Sequence, residues 1–318
     1  MNKNIFKTIF FLAVFLMLPD LVSASAPISF VDGKWETTFN CAEHDTPNGS
    51  SYDCAGMIVP NGGGSEGTDQ PINVTRITSA ANNPLGAGNG ARFWNKDGSN
   101  NCSTAYRIFF PIKLTEVWIR FYERYESGFT WSNLVYDKQL YLHTDSPEYQ
   151  AVIVEPYGWN NWQAAVQGVS GSNASSQIEA NGFGWQSVMG GNLADGLFHS
   201  YEVHLKMDTT GIAGTTGQPV PTADGIGQLW IDGVLRANNL AVNFSNGNVI
   251  AKTGWSYFTF DSNQSSPANS KESYVDYDDM VVYSTTPPNL DTNGNPFIGP
   301  IGFGDATAPA APSGLSVL

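Results

Sequence analysis

The pattern that most constrains this fold is an alternation of apolar and polar residues, which recurs between Gly90 and Tyr283. Side chains two residues apart share one side of a β-strand, so this period is typical of strands with one buried face. Gly, Asn, Asp and Pro bound the alternating runs, as turn residues do. No segment combines a helical period with capping residues. The alternation therefore predicts an all-β chain.

Ten segments fit the alternation well enough to be predicted as strands. Strands at this spacing favour two stacked antiparallel sheets joined by long loops, whereas a βαβ fold would need intervening helices. Ile231–Val234 predicts a tight turn, 96–101 a hairpin loop, and Met207–Asp224 a long surface loop. The predicted strands are Gly90–Trp94, Ala105–Phe110, Glu116–Tyr125, Lys138–His143, Gln150–Glu155, Trp162–Val166, His199–Met207, Gly227–Ile231, Tyr257–Phe260 and Tyr274–Tyr283.

Four of these strands separate their side chains into an apolar face and a polar face. We expect the apolar faces to pack on the second sheet, because leaving them wet would forfeit roughly 1.5–3 kcal/mol per large side chain. The apolar set is Val117, Ile119, Phe121, Leu140, Leu142, Tyr201, Val203, Leu205, Met207, Leu229 and Ile231. The polar set is Trp118, Arg120, Tyr122, Arg124, Gln139, Tyr141, His143, Glu202, His204, Lys206, Gln228 and Trp230.

The composition of the polar set suits a sugar polymer. Sugar rings stack on Trp and Tyr, amides and Arg bond hydroxyl groups, and cations meet carboxylates. An ordinary solvated strand face is instead rich in Thr, Ser, Lys and Glu, although it can carry aromatic residues. If no β-bulge intervenes, these side chains should line one concave face.

The charge balance narrows the class of partner. The whole chain carries −14, of which Lys3, Lys7 and Asp20 supply +1, so the remainder carries −15. Such a field repels nucleic acid and anionic lipid, so neither is expected as a partner. The residues after 26 fit one large β sandwich, which we expect to be a monomer.

The two ends predict an exported protein with three parts. Lys3 and Lys7 precede an apolar run that ends near Leu18, and 24–26 is a small-residue cleavage pattern, so residues 1–26 are predicted as a signal peptide. A membrane anchor is the alternative, but the run is shorter than the roughly 20 residues that span a bilayer. Residues 27–286 are the predicted sandwich domain. Residues 287–318 are predicted as a linker, and 307–318 resembles the approach to a fibronectin type III-like module. The predicted location is secreted and extracellular.

Cysteine and metal signals are weak. Cys41 could be bridged to Cys54, or Cys54 to Cys102, and the spacing does not choose between them. Neither CxxC spacing nor a Cys/His cluster is present, so no zinc site is expected. The run 291–295 has the oxygen-rich start of a calcium loop but lacks its closing glutamate, which favours a turn over a structural calcium site. No cofactor is predicted.

Four segments carry a family resemblance: Val117–Tyr122, Phe198–Thr209, Asp224–Val234 and Tyr274–Val281. Together they resemble the concanavalin-A-like jelly rolls, and in particular the polysaccharide-lyase-like group that includes glucuronan lyases and heparinase I-type lyases. The resemblance covers roughly residues 30 to 285 and implies a jelly-roll fold and lyase activity. No complete lyase motif matches residue by residue. The Glu-x-Asp-x-x-Glu pattern of retaining glucanases of this fold is absent, which disfavours hydrolysis.

β-Elimination on a uronate polymer needs a group to neutralise the carboxylate, a base and an acid. Arg120, Gln139 and Lys206 are candidates to neutralise the carboxylate, and Tyr141 is a candidate acid or base. His204 is preferred over His143 as the base because it lies mid-strand between Glu202 and Lys206. The candidate substrate-binding residues are Trp118, Tyr122, Arg124, His143, Glu202, Gln228 and Trp230.

The predicted function is therefore that of a secreted polysaccharide lyase acting on an anionic, uronate-containing polysaccharide. The alternative is a non-catalytic carbohydrate-binding or adhesion module of a longer extracellular protein. Binders also present Trp, Tyr and Arg. The combination of Arg, Gln, His, Tyr and Lys favours the lyase, because a binder of neutral glycans has no need of so many titratable groups.

Overall fold

The computed structural model describes thirteen stretches of the chain. They are residues 28–39, 42–47, 74–86, 88–95, 106–128, 138–145, 151–157, 161–167, 176–177, 195–212, 223–245, 247–262 and 273–303. The predicted signal peptide, all three cysteines, the 96–101 loop, the centre of the 207–224 loop and the fibronectin-like tail lie outside the described residues.

Two antiparallel sheets form the body of the protein. The nine-stranded sheet contains β1 Lys34–Thr37, β2 His44–Pro47, β3 Val74–Thr78, β4 Gly90–Asn95, β6 Glu116–Tyr125, β11 His199–Lys206, β12 Gly225–Ile231, β13 Val234–Val242 and β15 Ser273–Tyr283. The six-stranded sheet contains β5 Tyr106–Leu114, β7 Lys138–Thr144, β8 Ala151–Tyr157, β9 Asn161–Gln167, β10 Ser176–Gln177 and β14 Trp255–Ser262.

The chain crosses between the two sheets from β4 to β5, β6 and β7, from β10 to β11, and from β13 to β14 and β15, whereas its other sequence neighbours stay within one sheet. The nine-stranded sheet runs β13-β12-β11-β6-β15-β4-β3-β2, with β1 beside β15, and the six-stranded sheet runs β10-β9-β8-β7-β14-β5. A small hairpin, β16 Asn289–Leu290 with β17 Pro296–Phe297, follows the body. The helical content of the described residues is two 3₁₀ turns, Ser79–Ala81 and Ala251–Thr253. The prediction of an all-β sandwich of two antiparallel sheets is confirmed.

The core lies between the sheets and holds the predicted apolar set. All eleven of its side chains are buried in one cluster, together with Ile108, Phe110 and Phe258 of the six-stranded sheet. The ten predicted strands are all present. Within the described residues, seven strands were not predicted, and β13 shows why. It is an edge strand whose outer positions are polar or exposed, so its apolar alternation is weak.

Of two local backbone features, the sequence predicted one and missed the other. The tight turn at Ile231–Val234 is confirmed, because Asp232 and Gly233 have φ angles of 51° and 76°, as a hairpin turn of this twist requires. A β-bulge in β15 was not predicted. Asp278 pairs with Tyr122 but Val281 pairs with Arg120, and Asp279 has a φ of 47°. The extra residue restores Met280 and Val282 to the core.

In the described part of the chain no helix is long and apolar enough to cross a membrane.

Candidate active site

The predicted polar residues divide between the two sheets, so the predicted single concave face is wrong. Gln139, Tyr141 and His143 lie on β7 of the six-stranded sheet, whereas Arg120, His204 and Lys206 lie on β6 and β11 of the nine-stranded sheet. The outer faces of stacked sheets point away from each other. Alternation assigns a side within each strand, but it does not say which sheet the strand joins.

The outer face of the nine-stranded sheet is covered by the carboxy-terminal segment 289–303, here called the strap. Five residues predicted to contact substrate or to act in catalysis lie beneath it: Trp118, Arg120, Tyr122, Glu202 and Trp230 are each 7% exposed or less. Phe297 of the strap is fully buried with its ring 5.9 Å from that of Trp230. These five residues therefore pack against the strap inside the protein. This corrects their predicted placement on an open cleft.

Side-chain hydrogen bonds to the backbone hold the strap in place. Trp118 donates to the Pro296 carbonyl at 3.2 Å, and Arg120 donates to the carbonyls of Gly299 and Asp279 at 3.1 Å each. The Glu202 carboxylate accepts from the amides of Ile298 and Gly299 at 2.5 and 2.9 Å. Two consecutive amides bordering a left-handed glycine (φ 81°) form an anion-binding concavity. Two further bonds, from Ile301 to the Tyr122 hydroxyl and from Trp230 to Asp291, complete the set.

His204 is stacked and hydrogen-bonded rather than directed at a substrate. The centre of its ring lies 4.0 Å from that of the Trp118 ring, and the angle between the two ring planes is 6°. Nδ1 lies 2.7 Å from Gln228 Oε1, and Nε2 lies 2.9 Å from Glu116 Oε1. Because both ring nitrogens face these oxygens and the residue is 4% exposed, His204 is not placed as a catalytic base. Lys206 is a register neighbour of Glu116, and the hydrogen bond from His204 lowers the pKa of that carboxyl.

Two more predicted residues are engaged elsewhere. Arg124 donates to Asp276, a fully buried carboxylate that Arg92 also contacts, and to the Ala80 carbonyl. Gln139 is fully buried and donates to Glu123, which also accepts from the Tyr277 hydroxyl. Gln139 therefore ties β7 to the nine-stranded sheet.

Tyr141 and His143 instead lie on the outer face of the six-stranded sheet, among side chains of β5 and β14. The His143 ring lies 4.0 Å from the Tyr141 ring and 4.3 Å from the Tyr257 ring, and is stacked on the latter at 14°. We call this surface the aromatic face. It consists of Arg107, Phe109, Tyr141, His143, Tyr257 and Thr259.

The register places these six side chains in two rows across β5, β14 and β7. Arg107, Thr259 and Tyr141 form one row, and Phe109, Tyr257 and His143 form the other. The Arg107 guanidinium lies 5.0 Å from the centre of the Tyr257 ring and 6.0 Å from that of Phe109. Arg107, Phe109, Tyr141 and Tyr257 are each partly exposed. One cation and two phenols are thus partly exposed on this face, and the imidazole of His143, which is 8% exposed, lies among them.

A β-bulge in β14 turns one side chain of the aromatic face outward. Trp255 pairs with Thr144 while Tyr257 pairs with His143, so Ser256 is an extra residue in β14. Trp255 is consequently buried in the core, and Tyr257 turns to the outer face beside His143. Bulges that redirect a side chain are over-represented next to active sites.

The residues of this face that the sequence prediction missed carry the same signal as those it found. Arg107 and Phe109 alternate with the buried Ile108 and Phe110, and Tyr257 and Thr259 flank the buried Phe258. Extending the alternation to β5 and β14 would have identified them.

The run 291–295, whose sequence favours a turn over a calcium site, forms a turn. Asp291 Oδ1 accepts from the amides of Asn293 and Asn295 at 2.8 Å each, and Oδ2 accepts from Trp230 at 2.9 Å. Among the residues that the structure describes, no group of three or more His, Cys, Asp or Glu is arranged to hold a metal ion. A structural calcium site, the alternative that the sequence disfavours, would require this turn to open.

No protein-family model and no curated protein matches this chain. Solved structures do match. Alginate lyase Aly36B superposes with a TM-score of 0.44 at 13% identity, over 62% of this chain and 81% of that one. The cellulose-induced protein Cip1 gives 0.42 at 11% identity, over 66% and 85%. Alginate lyase PA1167 from Pseudomonas aeruginosa gives 0.38 at 12% identity, over 61% and 82%. At these scores and identities the matches assign neither a family nor an activity.

Proposed function

We propose that this protein is a polysaccharide lyase that cleaves a uronate-containing polysaccharide by β-elimination at its aromatic face. The observation that carries the proposal is the packing of His143 between Tyr141 and Tyr257, with the Arg107 guanidinium beside Tyr257. This is the set of groups that elimination needs: a cation for the carboxylate, a base and an acid. Export from the cell, expected from residues 1–26, is part of the proposal.

Each group has a defined task. Arg107 pairs with the uronate carboxylate, which makes the adjacent C5 proton more acidic. His143 takes that proton, the C5–H electron pair forms the C4–C5 double bond, and the C4–O bond breaks. The electron pair of that bond goes to the leaving oxygen, which takes a proton from the Tyr141 hydroxyl. Phe109 and Tyr257 supply rings on which sugar units stack.

The first test is a panel of uronate polymers, with neutral glucans as the control. We expect the absorbance of an unsaturated uronate to appear with at least one uronate polymer and with none of the glucans. Replacing His143 by Asn should then lower turnover by roughly 10²–10⁴-fold, because a proton transfer is lost.

A matched control uses another histidine. His199 hydrogen-bonds Asp232 on the opposite sheet, so His199→Asn should leave turnover within about threefold of the wild type. Turnover that survives His143→Asn but is lost in His204→Asn would overturn the assignment of the site. Binding of uronate polymers without any unsaturated product would identify the protein as a non-catalytic carbohydrate-binding module instead.

A further inference from the structure

Thr259 carries a buried hydroxyl with no protein partner. It lies in mid-strand β14 and is 3% exposed, and it points to the aromatic face because its neighbour Phe258 lies in the core. Within the described part of the chain, Thr259 Oγ1 has no hydrogen-bond partner. Buried hydroxyls are nearly always hydrogen-bonded, since an unpaired one loses its water without compensation. A free hydroxyl at this position therefore needs an explanation.

Arg107 presents a second free polar atom on the same row. It is the register partner of Thr259 on β5, and its Nε is buried and likewise without a partner among the described residues. Directly paired residues on one face of an antiparallel sheet have Cβ atoms about 4.5–5.5 Å apart. Two unused polar atoms thus belong to directly paired residues, with Tyr141 on the far side of Thr259 and Tyr257 beneath the guanidinium.

One kind of ligand group satisfies both atoms. A hydroxyl donor and a guanidinium N–H both require an acceptor, and the fixed positive charge of Arg107 favours a negative one. A carboxylate has two oxygens and can accept from both donors at once. A neutral sugar hydroxyl would satisfy the geometry but would leave the cation uncompensated in a half-buried setting.

We infer that Thr259 and Arg107 form one carboxylate subsite, in which Arg107 selects an acidic sugar over a neutral one and the Thr259 hydroxyl fixes the position of its carboxylate. This deepens the proposed function and rests on it for the identity of the substrate. Arg107 supplies charge, which attracts any anion, whereas Thr259 supplies a short, directional bond at a fixed height above the sheet. The residue does not itself transfer a proton.

The subsite explains why a hydroxyl is kept where an apolar group would suit the fold better. A free enzyme with an unpaired buried hydroxyl should gain stability when that group is replaced by a methyl group of similar shape. The same replacement should weaken substrate binding, because a hydrogen bond to a charged group is lost. A purely structural threonine would show the opposite effect on stability.

The test compares Thr259→Val, which removes the hydroxyl, with Thr259→Ser, which keeps it. On the uronate polymer that the wild type cleaves fastest, we expect Thr259→Val to raise KM about tenfold or more and to change kcat by less than about threefold. Its melting temperature should be no lower than that of the wild type. Thr259→Ser should restore KM to within about threefold.

The outcomes separate this inference from the proposed function. Cleavage of a uronate polymer with an unchanged KM in Thr259→Val would overturn the subsite and leave the lyase proposal standing. Absence of cleavage, together with calorimetric binding of oligouronates that Thr259→Val weakens about tenfold and Thr259→Ser preserves, would overturn the lyase proposal and support the subsite. Equal weakening for neutral oligosaccharides, or a lower melting temperature in Thr259→Val alone, would overturn the inference.

Discussion

His143 and His204 show how surroundings decide what a residue can do. Both lie within alternating strands among aromatic and polar neighbours, and the sequence favours His204 because of its central position. In the structure His204 has both nitrogens opposite oxygen atoms of Gln228 and Glu116, whereas His143, on the other sheet, is stacked on Tyr257 and tilted against Tyr141. The alternation could predict that each histidine leaves the core. It could not predict which cross-strand partners would engage it.

Buried acids on the outer face of the nine-stranded sheet predict a pH-dependent stability. Burial raises the pKa of Asp278 to about 8 and that of Glu202 to about 7. The folded state therefore binds these protons more tightly than the unfolded state, so the free energy of unfolding falls as the pH rises from about 4 toward 8. The hydrogen bond to Asp232 raises the pKa of His199, which acts in the same direction.

Urea unfolding at pH 5 and pH 8 checks this effect. Each unit of raised pKa corresponds to about 1.4 kcal/mol, so the wild type should lose at least about 1 kcal/mol between these two pH values. Asp278→Asn should lose less. Asp145→Asn is the control, because the bond from Lys113 lowers the pKa of that exposed carboxyl and it stays ionised throughout the interval. A pH dependence equal in the wild type and Asp278→Asn would contradict the prediction.

At the scale of elements, the strap covers residues on the outer face of the nine-stranded sheet that the sequence predicts to bind a ligand. Trp118, Tyr122 and Trp230 look like sugar-stacking residues in the sequence because they alternate with core residues. In the structure the strap packs on them and is hydrogen-bonded to all three. The strap itself has little periodicity, since its two strands are two residues each, and it adheres through backbone groups that every residue possesses. The packing of the strap on the sheet could therefore not be predicted from the pattern of side chains in the sequence.

A cavity in the strap should cost substantial stability. Phe297 is fully buried against Trp230 and Phe303, so Phe297→Ala should lower the free energy of unfolding by about 3–5 kcal/mol. Leu290 of the same hairpin is 59% exposed, and Leu290→Ala should stay within about 0.5 kcal/mol of the wild type. Chemical denaturation measures both. Equal stability of the two variants would show that the strap does not pack as described.

At the scale of the whole molecule, the fold was more predictable than the site. The two-residue alternation predicts ten strands and the buried core residues, because which face of a strand is buried shows in the local sequence. Assignment of strands to sheets is a long-range property: β7 lies between β8 and β14, and β6 lies between β11 and β15. The aromatic face joins residues 107, 143 and 257, which only that pairing brings together.

For the proposed activity on an anionic polymer, the net charge of −14 predicts a distinctive salt dependence of KM. The overall field repels a polyuronate over distances up to the Debye length, which is about 30 Å at 0.01 M salt and about 8 Å at 0.15 M. KM for the polymer should therefore fall as the salt concentration rises over this interval. A neutral oligosaccharide ligand, as control, should bind equally at both concentrations. A KM that rises with salt would show that local attraction by Arg107 dominates.

The position of β15 has a consequence for when the chain can fold. This strand, Ser273–Tyr283, lies between β6 and β4 and also pairs with β1, so it joins the two halves of the nine-stranded sheet. The sheet cannot close until residue 283 has left the ribosome, and Lys34 meets Tyr283 only after the chain between them is made. Such long sequence separations make folding slow. The nine-stranded sheet therefore forms late, after the chain from β1 to β15 has been synthesised.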